Sequence, residues 1–343
     1  MNGKPLSPEL TSDVPVDADT IGVKHGLAPT WPSLRPSRLL RRRHILPLLL
    51  VVLMFATEQI FAQPAPYDSE KFEARIGAAA LALGSNPRFK SSSQTYRQKL
   101  AEFVSGNILF VLCHEVAHAA MTQMGLPVLG RAEDAADSFA ALRLIRIGSA
   151  FSHRVLAEAT KGWFLSARRD QKTGDKVAYY DQHGLDQQRA YQIVCLMVGS
   201  DKDRFKDLAS ETKLPEERQD SCAEDYGNAS YSWDLLLKPH LRAPDQPRTK
   251  IDVVYGEAKG GLEAAAQAAR SILFLETVAQ NVADTFDWPA PFTLEMQSCG
   301  FPNARWVLST HKLTVCYELA ADFAELYRAY GAAPADSRKR KSK

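Results

Sequence analysis

Residues 107–121 read NILFVLCHEVAHAAM, an apolar run broken only by His114, Glu115 and His118. Such a run belongs in a core, and a core accepts two imidazoles and a carboxylate only when something satisfies them. Four residues advance an α-helix by about 400°, so the two rings leave one face, one turn apart. Two imidazole nitrogens presented in this way fit two corners of a tetrahedral divalent cation, and Glu115, on the adjoining flank, is placed to act as a general base. The apolar surroundings suit that use, because a buried helix holds ligands rigidly. The plainer reading is a pair of satisfied core histidines.

A catalytic zinc takes three protein ligands and keeps a fourth position open. The next histidine is His153, and Met124 stands where a metzincin places its third histidine, which excludes that arrangement. Instead the chain continues into a loop bounded by Gly125 and Gly130, and then into RAEDAADSFAAL, in which Glu133 opens a new helix and Asp137 lies one turn further on. The loop is short enough to fold the second helix back on the first, so Glu133 can complete a His-His-Glu set. Asp134 competes for that place, and either acid could simply sit at the positive end of the helix dipole. Glu133 is preferred because it leaves Asp137 to accept the remaining ring N–H of a ligand histidine, although a solvated helix position is the alternative for Asp137. Ligand type favours zinc, with manganese and cobalt also accommodated. A donor to an oxyanion is expected as well. His183 in YYDQHGLD is the preferred candidate over Tyr179, Tyr180 and Arg189, against the reading of a loop or capping histidine.

HExxH followed by ExxxD is similar to the gluzincin pattern of thermolysin-like peptidases, in which the glutamate is a ligand and the aspartate its outer partner. The run GNILFVLCHEVAHAAMTQMGLPVLGRAEDAADSFA resembles more closely the signature of a bacterial metallopeptidase-type family, domain of unknown function 4344. HGLDQQRAYQIVCLMVG, CAEDYGNASYSWDLLL and CGFPNARW with KLTVCYEL extend the likeness over about residues 95 to 325. In that family a CGxxNA…CYEL segment often precedes the HExxH, whereas here it lies near the C-terminus. The resemblance implies a zinc-dependent hydrolase acting on peptide or protein substrates, and it supplies no particular substrate. The competing function is an exported zinc-containing binding or scaffold protein that cuts nothing; retention of Glu115 beside the site favours the hydrolase.

Location is read from the N-terminus. Residues 1–37, rich in Pro, Ser, Asp and Gly, form a disordered leader. Residues 38–62 carry four arginines, the apolar run ILPLLLVVLMFA and a small residue, Ala62, for cleavage, which is the layout of a signal peptide. A bilayer span needs about twenty apolar residues, and Glu58 interrupts this one first. The chain is therefore expected to be exported, periplasmic or secreted, with membrane contact only through the signal or an uncleaved anchor. Residues 63–331 form the metallopeptidase-like domain and 332–343 a basic tail. A formal charge of +2 in 343 residues, with no basic-aromatic clustering, argues against a nucleic-acid partner. An oxidising destination permits disulfides. Cys195 with Cys222 and Cys299 with Cys316 are the preferred pairs among the connectivities five cysteines allow, leaving Cys113 alone and inert among Val111, Leu112 and Val116.

Helical periodicity runs through 68–83, 94–124, 131–148 and 152–168, then from near Leu185 and through RFKDLASE. Strand signals come late, in KIDVVYG, FTLEMQSC and the pair RWVLS and KLTVCYEL about Thr310-His311, with GLEAAAQAARSILFLETVAQNVADTF as one helix between them. Trp163, Trp233 and Trp306 read as packing aromatics. The expected fold is mainly α with a small antiparallel sheet (α+β) and a zincin-like active-site helix. RWVLS or KLTVCYEL could pair with an extended peptide at a sheet edge, unless it is an inner strand.

Overall fold

The computed structural model describes residues 69–174 and 178–331; the leader, the signal segment and the basic tail read from the sequence lie outside them. The longest apolar helix organises the domain. This helix, α2 (Gln94–Gln123), begins where the Ser93 side chain accepts from the Tyr96 N–H, and it ends at Met124 ahead of Gly125, whose φ of 63° turns the chain out of the helix. It is long and apolar enough to cross a bilayer, yet most of that apolar stretch is wrapped inside the domain. Leu100, Phe103, Ile108, Phe110 and Leu112 are all buried along it.

Around it pack α1 (Ser69–Leu83), α3 (Ala132–Ile147) and α4 (Ala150–Thr173), and behind these α5 (Asp186–Ser200), α6 (Lys206–Glu211) and α7 (Glu216–Leu237). Loop 125–130 does fold α3 back on α2. α3 closes on Gly148, at φ 64°, and Ser149 then caps α4 by accepting from the Ser152 N–H. α2 and α4 cross so closely that a Cβ on Gly162 would lie 1.8 Å from Asn107 Oδ1. Buried Asn107 ties the crossing by donating to the carbonyls of Phe103 and Glu158 at 2.8 and 3.0 Å. Gly162→Ala is accordingly expected to destabilise the fold by about 1–3 kcal/mol through overpacking, read as a lower denaturant midpoint at unchanged slope.

Cys195 on α5 and Cys222 on α7 stand at disulfide distance, S–S 2.09 Å, and Cys299 with Cys316 at 2.07 Å, as expected from their placement. Cys113 is the free thiol. The first pair closes a loop of 27 residues. On chain-entropy grounds its loss, as Cys195→Ala/Cys222→Ala, should remove about 3.5 kcal/mol of stability, measured by chemical unfolding.

The C-terminal third supplies β1 (Ile251–Tyr255), α8 (Glu263–Ile272), α9 (Phe274–Thr285), β2 (Phe292–Gln297), β3 (Ala304–Val307), β4 (Lys312–Cys316) and α10 (Tyr317–Leu326). The strand order is β1-β2-β4-β3. β3 and β4 form the expected antiparallel hairpin, but β1 pairs with β2, and β2 with β4, in parallel. The sheet is thus mixed, which corrects the antiparallel expectation. Its cause is connectivity: α8 and α9 form a crossover that returns the chain to the same end of the sheet before β2 begins. β3 then leaves from the end where β2 stops, and β4 comes back between the two.

Two further boundaries differ from the sequence reading. The expected strand KLTVCYEL ends at Cys316, and Tyr317, Ala320, Phe323 and Ala324 turn instead into the buried face of α10. The single helix expected over 261–286 breaks at Leu273, which takes φ 58° and caps α8 through its N–H to the Arg270 carbonyl. One face of the sheet, with Phe292, Leu294, Met296, Leu313 and Val315, joins the core beside α2.

Candidate metal centre

α2 and the first turn of α3 bring the ring nitrogens and the carboxylate together. His114 Nε2 and His118 Nε2 lie 3.1 Å apart, and Glu133 Oε2 lies 2.9 Å from the first and 3.2 Å from the second. Asp134, the competing acid, turns away to pair with Arg131 at 2.8 Å. His153 packs edge-on against Phe205 instead. Among the described residues one other cluster has ligand-like spacing, Cys299, Cys316 and Glu318. Its sulfurs are joined to each other, which leaves no thiolate to bind a metal.

The convergence creates a demand for positive charge. Nitrogen lone pairs and a carboxylate oxygen repel unless a cation or a proton lies between them. In the protein alone only protons can answer. Burial opposes charge on His114, but its bonds to Asp137 and Glu133 outweigh burial and raise its pKa to about 9. The same imidazoles, with His183, hold Glu133 far below the usual carboxylate range. A divalent cation bound by two imidazoles and a carboxylate meets that demand with a full formal charge, so the residues present fit one.

Behind His114 the geometry fixes its tautomer. Asp137 Oδ1 lies 2.8 Å from His114 Nδ1, and a carboxylate can only accept, so Nδ1 carries the proton and Nε2 faces Glu133. Asp137 is buried, and burial pushes its pKa up, but the bonds from His114 and Arg189 overcome this and keep it below its ordinary value. Arg189 donates from Nε to Asp137 Oδ2 at 2.7 Å and from Nη2 to Oδ1 at 2.8 Å. Two of its five N–H groups are thus spent on Asp137.

His183 reaches the site from the loop that precedes α5. Its Nε2 lies 3.0 Å from Glu133 Oε2 and its Nδ1 3.1 Å from Asp181 Oδ1, with half of the side chain exposed. The bond to Glu133 raises its pKa. Gly184 seats this loop against the start of α3, where an added Cβ would lie 3.4 Å from Arg131 Nη2 and 3.5 Å from Asp134 Oδ1. Tyr179 and Tyr180 point into solvent, at 83 % and 93 % exposure, whereas His183 meets Glu133 and Arg189 meets Asp137.

Glu115 is buried on the flank of α2 that faces the sheet. Burial raises its pKa, against the opposing pull of His114, His118 and a backbone hydrogen bond from Trp306. Trp306 belongs to β3, the edge strand beside β4, and its indole N–H donates to Thr122 Oγ1 on α2 at 2.8 Å. Cys113, one residue before His114, has its thiol pushed up to about 12 by burial, in keeping with an inert side chain.

Three participants have roles that the sequence does not announce. Arg189 suggests itself there only as an oxyanion donor, Asp181 carries no spacing signal beyond standing two residues from His183, and Trp306 acts through a backbone group that no side-chain pattern reveals. A family model described as "Putative metallopeptidase", domain of unknown function 4344, matches residues 63–237. The match takes in every residue from His114 to Arg189 discussed above and ends before the sheet, short of the reach to about residue 325 that the motifs suggest. No curated protein and no solved structure matches the chain.

Proposed function

The chain belongs to the metallopeptidase-type family of domain of unknown function 4344, and from that premise we propose that it is an exported, zinc-dependent peptidase of gluzincin type. The observation that carries this reading is the meeting of His114 Nε2, His118 Nε2 and Glu133 Oε2 within 3.2 Å of one another. Donors around a tetrahedral zinc, at about 2.0–2.1 Å from the ion, stand roughly 3.3 Å apart. His114, His118 and Glu133 would hold the metal, and Asp137 would orient His114.

When bound, the metal supplies Lewis acidity, polarising the scissile carbonyl and acidifying a water. Glu115 takes the proton from the attacking water and delivers it to the leaving amine nitrogen as the C–N bond breaks. Burial raises its pKa, which makes the carboxylate a readier proton acceptor. His183, steadied by Asp181, would turn its Nε2–H from Glu133, whose oxygen would bind the metal, to the oxygen that gains charge in the tetrahedral intermediate. β3 is one of the two edge strands of the sheet, and it lies along α2 beside Glu115, so an extended peptide laid along it would pass close to the base. The two disulfide-distance cysteine pairs accord with an oxidising, exported setting.

The test is metal content of the purified exported form, by elemental analysis, together with amine release from a mixed peptide library. One zinc per chain with cleavage supports the peptidase. One zinc with every peptide left intact moves the protein to the scaffold reading, and no metal rejects both.

A further inference from the structure

Arg189 lies outside the motif that defines the candidate site, yet it is one of the best-buried charged groups beside it, 7 % exposed. It comes from α5, the helix stapled to α7 by Cys195 and Cys222. Its fork engages both oxygens of Asp137, at 2.7 and 2.8 Å, while His114 Nδ1 shares one of them at 2.8 Å. On the guanidinium's face sits the Trp163 ring of α4, with the Arg189 Cζ 3.7 Å from its centroid. The indole N–H of Trp163 is buried and has no hydrogen-bond partner among the described residues, so the residue contributes here through its face and not its edge.

Each contact narrows a different freedom. A lone carboxylate accepting one ring N–H can still rotate about its Cβ–Cγ bond, and His114 would follow it. A planar fork spanning both oxygens fixes that rotation, and a lysine, holding a single point of charge, would not. The stacked indole in turn fixes the plane of the fork. From this chain of contacts we infer that Arg189, clamped by Trp163, is a positioning residue for the metal centre: through Asp137 it sets the direction of the His114 Nε2 lone pair and thereby the affinity for a divalent cation. The inference rests on the metal reading above and adds to it a control exerted from α4 and α5.

The experiment measures zinc affinity by competition with a chromogenic chelator, alongside the melting temperature of the metal-free protein. Wild type, Arg189→Lys, Arg189→Met and the double variant Arg189→Met/Asp137→Asn are compared as full mature chains. Arg189→Lys keeps the charge and should melt near wild type while binding zinc about 10-fold more weakly, within the 10–100-fold range of outer-partner substitutions. Arg189→Met leaves Asp137 buried without its counter-charge and should lose stability as well. In the double variant the neutral amide needs no counter-charge, so the melting temperature should recover, which assigns the instability of Arg189→Met to the uncompensated carboxylate. Wild-type affinity in Arg189→Lys would reduce Arg189 to a structural ion pair and overturn the inference. A wild-type protein that binds no zinc fails at the earlier step, and the metal reading falls with it.

Discussion

Glu115→Gln is expected to cut peptide hydrolysis by about 10²–10⁴-fold, the usual worth of a positioned proton-transfer group, while leaving one zinc per chain. The amide has nearly the same volume as the carboxylate and can still accept from the Trp306 N–H, so α2 and β3 need not move. It cannot take a proton from water. The measurement is kcat/KM on the best peptide from the library, with metal content determined on the same preparation. An active Glu115→Gln protein with full zinc would remove Glu115 from the mechanism, whatever the metal does.

The second large effect concerns Glu133→Ala. Glu133 meets three imidazole nitrogens, those of His114, His118 and His183, and on the metal reading its removal takes away a donor to the cation together with the anchor of the His183 loop. Loss of affinity beyond the roughly 10–100-fold of outer-partner changes is expected, read in a chelator competition, with activity lost at ordinary zinc concentrations. Saturating zinc should also raise the melting temperature of wild type and leave that of Glu133→Ala nearly unmoved, because a ligand stabilises only the state that binds it. Were the alanine variant to hold zinc as tightly as wild type, Asp134 or another group would have to be the third ligand, despite its pairing with Arg131 in the structure.

Much of the centre is legible in the sequence because it is local. His114, Glu115, His118, Glu133 and Asp137 occupy two consecutive helices, so helical spacing and one glycine-bounded loop suffice to bring them together. His183 is singled out by residue type alone, since no spacing ties it to the motif. Arg189 and Trp163 are not readable as supports of the centre, because nothing in RAYQIV or KGWFL says that α4 and α5 will cross behind α3. In the sheet, strand character is visible in IDVVY, FTLEMQ and LTVC, but pairing direction is not, because it depends on where two helices return the chain. The break at Leu273 leaves no trace either: a leucine between two helix-forming stretches offers no signal for a positive φ.

The sequence distances within the site have a bearing on how the domain comes into being. The ring nitrogens of α2 and the carboxylate of α3 are separated by at most 19 positions, a short closure for a chain to make. Trp306, which meets α2 through Thr122, stands 184 positions away from it and must wait for nearly the whole domain to be synthesised. On the metal reading, the three donors can therefore meet within a single helical hairpin, whereas the strand alongside the proton acceptor reaches the same helix only through a contact nearly the length of the domain away in sequence.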